Sequence, residues 1–170
     1  MKLKIAVTDA NIFIDLFELE LTPAFFKLEF EFHTSSAVYF ELFPEQQEVL
    51  KFFQSKNRLT VHNLQEQDFQ EIYLEKYPKS LSEADKSVLY IANKINAIVL
   101  SSDKTLRNYA QKKGIEYHGM LWIFDQLIET KILNQKEARE KLELLVRINF
   151  LFRNNQKLLQ EIETRLKRWI

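Results

Sequence analysis

Four acidic residues, Asp9, Glu41, Asp85 and Asp103, stand where apolar segments of the 170-residue chain end or turn inward. An α/β reading gathers them at one edge of one sheet. Asp9 follows the apolar run from Leu3 to Val7, and Asp103 follows the run from Ala97 to Leu100. In open parallel sheets, ligands bind outside the carboxyl ends of the strands. Glu41 and Asp85 would reach the same place from helices. Carboxylates brought together repel one another and need a cation. The chain has no Cys, and none of its three His is positioned among the acids, so the donor set is oxygen only. Such a set selects hard cations, and Mg2+ or Mn2+ is favoured over Zn2+. Asn11 and Ser101 stand beside the acids as candidates for a supporting shell that orients ligands or a water.

Each acid also has a plainer reading as a helix cap. Asp9 and Asp103 precede helical patterns, where a carboxylate accepts backbone N–H bonds and meets the positive end of the helix dipole. Ser82 and Asp85 have capping-box spacing. Glu41 does not fit this account. It lies past the first turn of the helix opening at Ala37, and Ala37 and Val38 share its face, so its charge is expected to face the core. Asp85 shares a face with Val88 and Leu89 and is expected to lean toward the sheet.

The elements that must carry these residues can be read from hydrophobic period and punctuation. A buried strand is expected from Lys2 to Thr8, then a helix from Asp9 with Ile12, Phe13, Leu16 and Phe17 at helical spacing. A short helix follows Thr22-Pro23, a strand runs from Glu29 to His33, and Ser35-Ser36 caps the next helix. Two helices flank a strand at Leu59 to His62. The Ser82 helix runs to Asn93, a strand covers Ala97 to Ser101, and Gly114 stops the helix that Asp103 opens. A last strand at Ile115 to His118 and a helix from Met120 to Thr130 complete the pattern. Strands alternating with helices imply a three-layer α/β/α fold with a mostly parallel sheet and right-handed crossovers. From Asn134 onward two helices are expected, broken near Asn154-Asn155, the second with Leu158, Leu159, Ile162, Leu166 and Trp169 on one stripe. Residues 1–131 therefore read as a core domain and residues 132–170 as a helical extension.

Composition agrees with a folded protein: 46% of residues are apolar and 28% charged. The absence of Cys excludes disulfides, thiolate metal sites and cysteine nucleophiles. No stretch approaches the roughly 20 apolar residues of a membrane span, and a cytoplasmic protein without membrane contact is expected. Net charge is zero, but residues 134–170 hold nine Lys or Arg against five Asp or Glu. The three His read as ordinary strand residues, and the fourteen Phe as mostly core rather than a base-stacking platform. Lys86, Lys104 and Arg107 flank the acids and read as solvated surface charge ahead of contacts for RNA phosphates.

The ordered set of Asp9-x-Asn11, Glu41 after the second strand, Leu81-Ser82-x-x-Asp85 and Leu100-Ser101-Ser102-Asp103 resembles the PIN-domain family of nucleases. The run Gly114-Ile115-x-x-x-Gly119-x-Leu121-Trp122 is similar to one branch, the VapC-like toxins. The resemblance covers about residues 1 to 131. It implies an α/β/α domain that binds one or two Mg2+ or Mn2+ ions and cuts RNA, in many bacterial members as the toxin of a toxin–antitoxin pair. It also implies a small antitoxin protein as partner, and a homodimer is a further expectation. Asp9, Asp85, Asp103 and Glu41 would be the catalytic and metal-holding acids. The chain departs from the pattern in two places: Lys104 and Thr105 follow Asp103 where some members carry another acid, and Ser101 stands where Thr is common. The rival reading is a non-catalytic PIN-like module that binds RNA or protein. A phosphatase using Asp9 as nucleophile would want a second Asp where Asn11 stands.

Overall fold

The computed structural model describes residues 3–170; Lys2, expected in the first strand, lies outside the described residues. The chain runs β1 (Lys4–Thr8), α1 (Ala10–Glu18), α2 (Thr22–Phe25), β2 (Phe30–Ser35), α3 (Ser36–Glu41), α4 (Pro44–Ser55), β3 (Leu59–His62) and α5 (Glu66–Glu75). It continues with α6 (Glu83–Ile95), β4 (Ile98–Leu100), α7 (Lys104–Lys112), β5 (Tyr117–His118), α8 (Met120–Glu129), α9 (Gln135–Ile148), α10 (Phe150–Arg153) and α11 (Gln156–Arg168).

The five strands form one wholly parallel sheet in the order β3-β2-β1-β4-β5. Because each strand in the middle of such a sheet is covered on both faces, its residues are buried without alternation. Ala6, Val7 and Thr8 are all buried, as are Phe32 through Ser35 and Ile98 through Leu100. In the second strand only the first two residues, Phe30 and Glu31, escape full burial. The chain moves outward from β1 through β2 and β3, then returns to the other side of β1 for β4 and β5. With right-handed crossovers, that reversal puts helices on both sides of the sheet.

Two compact units divide the chain: residues 1–14 with 29–120, and residues 15–28 with 121–170. The first holds the sheet, with Val38, Val88, Leu89, Ile91 and Leu106 in its core. In it, α6 ends on Asn96 in the left-handed region and α7 is followed by Gly114 at φ +73°, where nothing crowds a side chain, so glycine serves the backbone turn.

The second unit is helical. Its α11 buries Ile162 and Trp169, and Trp169 meets Phe124 of α8 at 6.2 Å between ring centroids. The apolar stripe of the tail thus packs within its own unit. A two-pronged ion pair reinforces it, with Arg165 Nε and Nη2 donating to Asp125 Oδ1 and Oδ2 at 3.0 and 2.7 Å. The tail has one break more than expected: Asn149 ends α9, and its side-chain Oδ1 accepts from Leu151 N at 3.0 Å to start α10.

The expectation that the Phe are core holds for Phe25, Phe26, Phe32 and Phe124, which are fully buried. Phe40, Phe43, Phe52, Phe69 and Phe150 are the exceptions and are exposed. Among the described residues, no helix is long and apolar enough to cross a membrane.

Asp15, in α1, is a buried carboxylate of the second unit. Asn149 Nδ2 donates to its Oδ1 at 2.9 Å, while Oδ2 is buried without a partner among the described residues. Burial, aided by the charge of Glu18, raises its pKa to about 6, against the lowering effect of the Asn149 bond. A carboxyl whose folded pKa exceeds its unfolded value lends most stability in acid and loses it as pH rises through about 4 to about 6. Asp15→Asn should therefore raise the melting temperature at pH 7, by an effect on the order of 1–3 kcal/mol, and give no gain at pH 3.5. Thermal melts at the two pH values check this.

A candidate acidic site at the carboxyl edge of the sheet

The boundary between β1 and β4 is where the strand order reverses, the place where open α/β sheets bind ligands. Thr8 and Leu100, the last residues of those strands, are register partners, and Asp9 N donates to Leu100 O at 3.1 Å. Asp9 and Ser101 consequently leave the sheet side by side. The Ser101 hydroxyl donates to Asp9 Oδ2, and Ser101 Oγ accepts from Asp103 N at 3.0 Å. One buried hydroxyl thus fastens both strand-end acids.

The capping role of each Asp is present as well. Ile12 N donates to Asp9 Oδ1 at 3.0 Å, and Leu106 N donates to Asp103 Oδ1 at 2.7 Å. Ser82 N donates to Asp85 Oδ2 at 3.2 Å while Asp85 N donates to Ser82 Oγ at 3.1 Å. For Asp85 and Asp103, the cap aims the carboxylate and leaves the other oxygen outside it.

Two serines bring the helical acids to the same edge. Ser35 ends β2 and caps α3, accepting from Val38 N at 3.0 Å, and its hydroxyl lies 2.7 Å from the Ser87 hydroxyl of α6. Ser87 in turn donates to Ala84 O at 2.6 Å. This tie holds the first turns of α6 against the end of β2 and the start of α3. Asp85 sits in that part of α6, and its negative charge acts on both Asp9 and Glu41. Asp103 acts on Asp9 as well.

Asp9 is 1% exposed, and its pKa rises to about 7. Burial is the main cause; the bonds from Ser101 and Ile12 N work against it, and the charges of Asp85 and Asp103 add to it. Glu41 departs from expectation. It is exposed rather than turned into the core, because α3 ends at Glu41 itself and the chain turns extended at Leu42. Its carboxyl is still held above the ordinary range, first by partial burial and then by Asp85. Asp85 and Asp103 are half-buried, and Asn11 is exposed in the first turn of α1.

The sequence reading missed the Ser35–Ser87 tie. Ser87 left a signal, since it is a hydroxyl on the apolar face that carries Ala84, Val88 and Ile91. It also treated the His as isolated. His33 and His62, on neighbouring strands, are joined by a 2.7 Å bond between Nδ1 and Nε2, and His33 Nε2 lies 2.8 Å from Glu31 Oε1. Among the flanking cations, Lys86 pairs with Glu83 at 3.2 Å and Arg107 lies over the Tyr117 ring at 5.0 Å. A separate cavity of about 380 Å³, lined by Asp125, Ile128, Glu129, Gln135, Arg168 and Trp169, belongs to the second unit and contains none of these acids.

The family model DUF3368, a PIN domain, matches residues 5–168. The chain belongs to the PIN-domain family. PIN domains are generally nucleases and typically use divalent metals. No curated protein matches this PIN domain significantly in sequence. Among solved structures it is similar to a PilT N-terminus domain protein, SSO1118, from the hyperthermophilic archaeon Sulfolobus solfataricus P2, at 15% identity and a TM-score of 0.39, over 74% of this chain and 92% of that one.

The donors of this PIN domain fit a hard divalent cation in chemistry and charge. They are oxygens, and their mutual repulsion at a buried position is what a cation relieves. Two further hydroxyl oxygens, Thr8 Oγ1 and Ser102 Oγ, are buried next to Asp9 and Asp103 in the chain without hydrogen-bond partners among the described residues. Among the described residues, no three His, Asp or Glu side chains are arranged so that together they could hold a metal ion.

The electrostatics make a two-sided prediction for the metal-free protein. Ser101→Ala, which deletes the donor to Asp9, should raise the Asp9 pKa above about 7, whereas Asp103→Asn, which deletes a negative neighbour, should lower it. Carbon-detected NMR titration of the Asp9 carboxyl reads both shifts.

Proposed function

We propose that this PIN domain is a Mg2+- or Mn2+-dependent endoribonuclease that hydrolyses RNA phosphodiester bonds, and that it acts in the cytoplasm as the toxin of a toxin–antitoxin pair. The observation that carries the nuclease reading is the buried Asp9 under the combined negative charge of Asp85 and Asp103, at the strand-order reversal. Asp9, Asp85 and Asp103 would hold the ion, with Glu41 completing the acidic rim. When bound, a hard divalent ion supplies positive charge for the phosphate and a more acidic water.

The chain's own residues prepare that chemistry. Ser101 donates to the Asp9 carboxylate and accepts from the Asp103 backbone N–H, so one hydroxyl ties both strand-end acids in place. Ser82 and the first turn of α6 orient Asp85. Glu41, exposed and coupled to Asp85, meets solvent where the polyanion would arrive. In the hydrolysis, a water oxygen bonds to phosphorus, one P–O ester bond breaks, and the departing sugar oxygen takes up a proton.

The toxin reading is supported by the Gly114 to Trp122 run that resembles VapC-like toxins. It entails a small antitoxin protein as partner, with a homodimer as the working form. The alternative, a non-catalytic PIN-like module that binds RNA or protein, draws on the side-chain arrangement, in which no three His, Asp or Glu among the described residues could together hold an ion.

Asp9→Asn decides between them. It removes the charge while keeping the shape and the cap, and it should lower Mg2+- or Mn2+-dependent cleavage of RNA by purified protein at least about a hundredfold, with the fold intact by circular dichroism. Cleavage by the variant equal to that of the parent would refute the assignment.

A further inference from the structure

The turn between α3 and α4 exposes two large aromatic rings beside the acids. Phe40 is 75% and Phe43 69% exposed, and between them Glu41 faces solvent and Leu42 is buried. The turn is built rather than loose. Gln46 Oε1 accepts from Phe43 N at 2.9 Å, and Gln47 Nε2 donates to both Tyr39 O and Leu42 O at 3.1 Å. Tyr39 braces Phe40 edge-on, with ring centroids 5.3 Å apart and planes at 83°. A rigid turn that spends two phenyl rings on solvent gains nothing for the fold, since an exposed ring forgoes the burial that makes Phe stabilising.

We propose that Phe40 and Phe43 are a stacking platform for the bases of single-stranded RNA, placed one residue before and two after the carboxylate that joins the acidic site. The proposal rests on the nuclease reading above and extends it to how the strand is gripped. Three observations select a nucleic acid strand over a protein. The rings are split by the charged Glu41, whereas the cores of protein interfaces are depleted of charge. They are continuous with the acidic site because the Ser35–Ser87 tie holds α3, which ends on Glu41, against α6, which carries Asp85. Lys51 of α4, which pairs with Glu48 at 3.3 Å on the solvent face, also lies within electrostatic reach of the Tyr39 hydroxyl and would turn from Glu48 to a phosphate beside the rings. Stacking on exposed aromatics suits unpaired bases, each of which presents a flat face whatever its sequence.

The test uses full-length Asp9→Asn protein, so that strands are bound and not cut, and single-stranded RNA oligonucleotides carrying 2-aminopurine, whose fluorescence is quenched by stacking. Phe40→Ala with Phe43→Ala should weaken binding about tenfold or more and abolish the quench that the parent produces. Phe40→Tyr should keep both, while Phe40→Leu, equally apolar, should lose both. An RNA duplex of the same sequence should bind the parent no better than it binds the Ala variant.

Loss of oligonucleotide binding by the parent, equal binding by Leu and Phe, or an unchanged affinity in the double Ala variant would each overturn the platform. So would conversion of a dimer into a monomer by the double Ala substitution without change in RNA affinity, which would assign the rings to a second copy of the chain. Cleavage by the Asp9 form, measured separately on the same oligonucleotides, keeps failure of the platform distinct from failure of the nuclease reading.

Discussion

A carboxylate with almost no access to water, at the end of the central strand, is the constraint on which the rest of this molecule turns. Asp9 is buried by the sheet it terminates, and it is opposed by the charges of Asp85 and Asp103. Burial of a charge without compensation is costly. Two neutral donors, the Ser101 hydroxyl and Ile12 N, offset part of that cost, yet the pKa still rises to about 7. Asp9 is thus poised between a proton and a cation, and under the proposed function a divalent ion would relieve its repulsion with Asp85 and Asp103.

The fold supplies this arrangement through hydroxyl ties more than through ion pairs. Ser101 joins the ends of β1 and β4, and Ser35 and Ser87 join the end of β2 to α6 and α3. Hydroxyls are small enough to be buried between parallel strands and helix starts, and they add no charge that would compete with the acids. Pairing each Asp with Lys or Arg would instead have neutralised the site.

Much of this was legible before any coordinates. Residues punctuated as caps do cap: Asp9, Ser82 and Asp103 open their helices because a side-chain oxygen satisfies an otherwise orphaned backbone N–H, a rule local in sequence. The parallel sheet was legible because apolar strand segments alternated with amphipathic helices. What escaped was set by tertiary register. Glu41 shares a helical face with buried Val38, but α3 stops at that residue, and periodicity does not say where a short helix ends. His33 and His62 meet only because β2 and β3 align in one register. Phe40 and Phe43 look like core in composition, and only the turn fixed by Gln46 and Gln47 puts them outside.

Anomalous diffraction from crystals of the protein soaked in Mn2+ addresses the shared cation directly. The account requires a peak within coordinating distance of Asp9 and of at least one of Asp85 and Asp103. Full Mn2+ occupancy elsewhere on the molecule, with no anomalous density among these carboxylates, would contradict it.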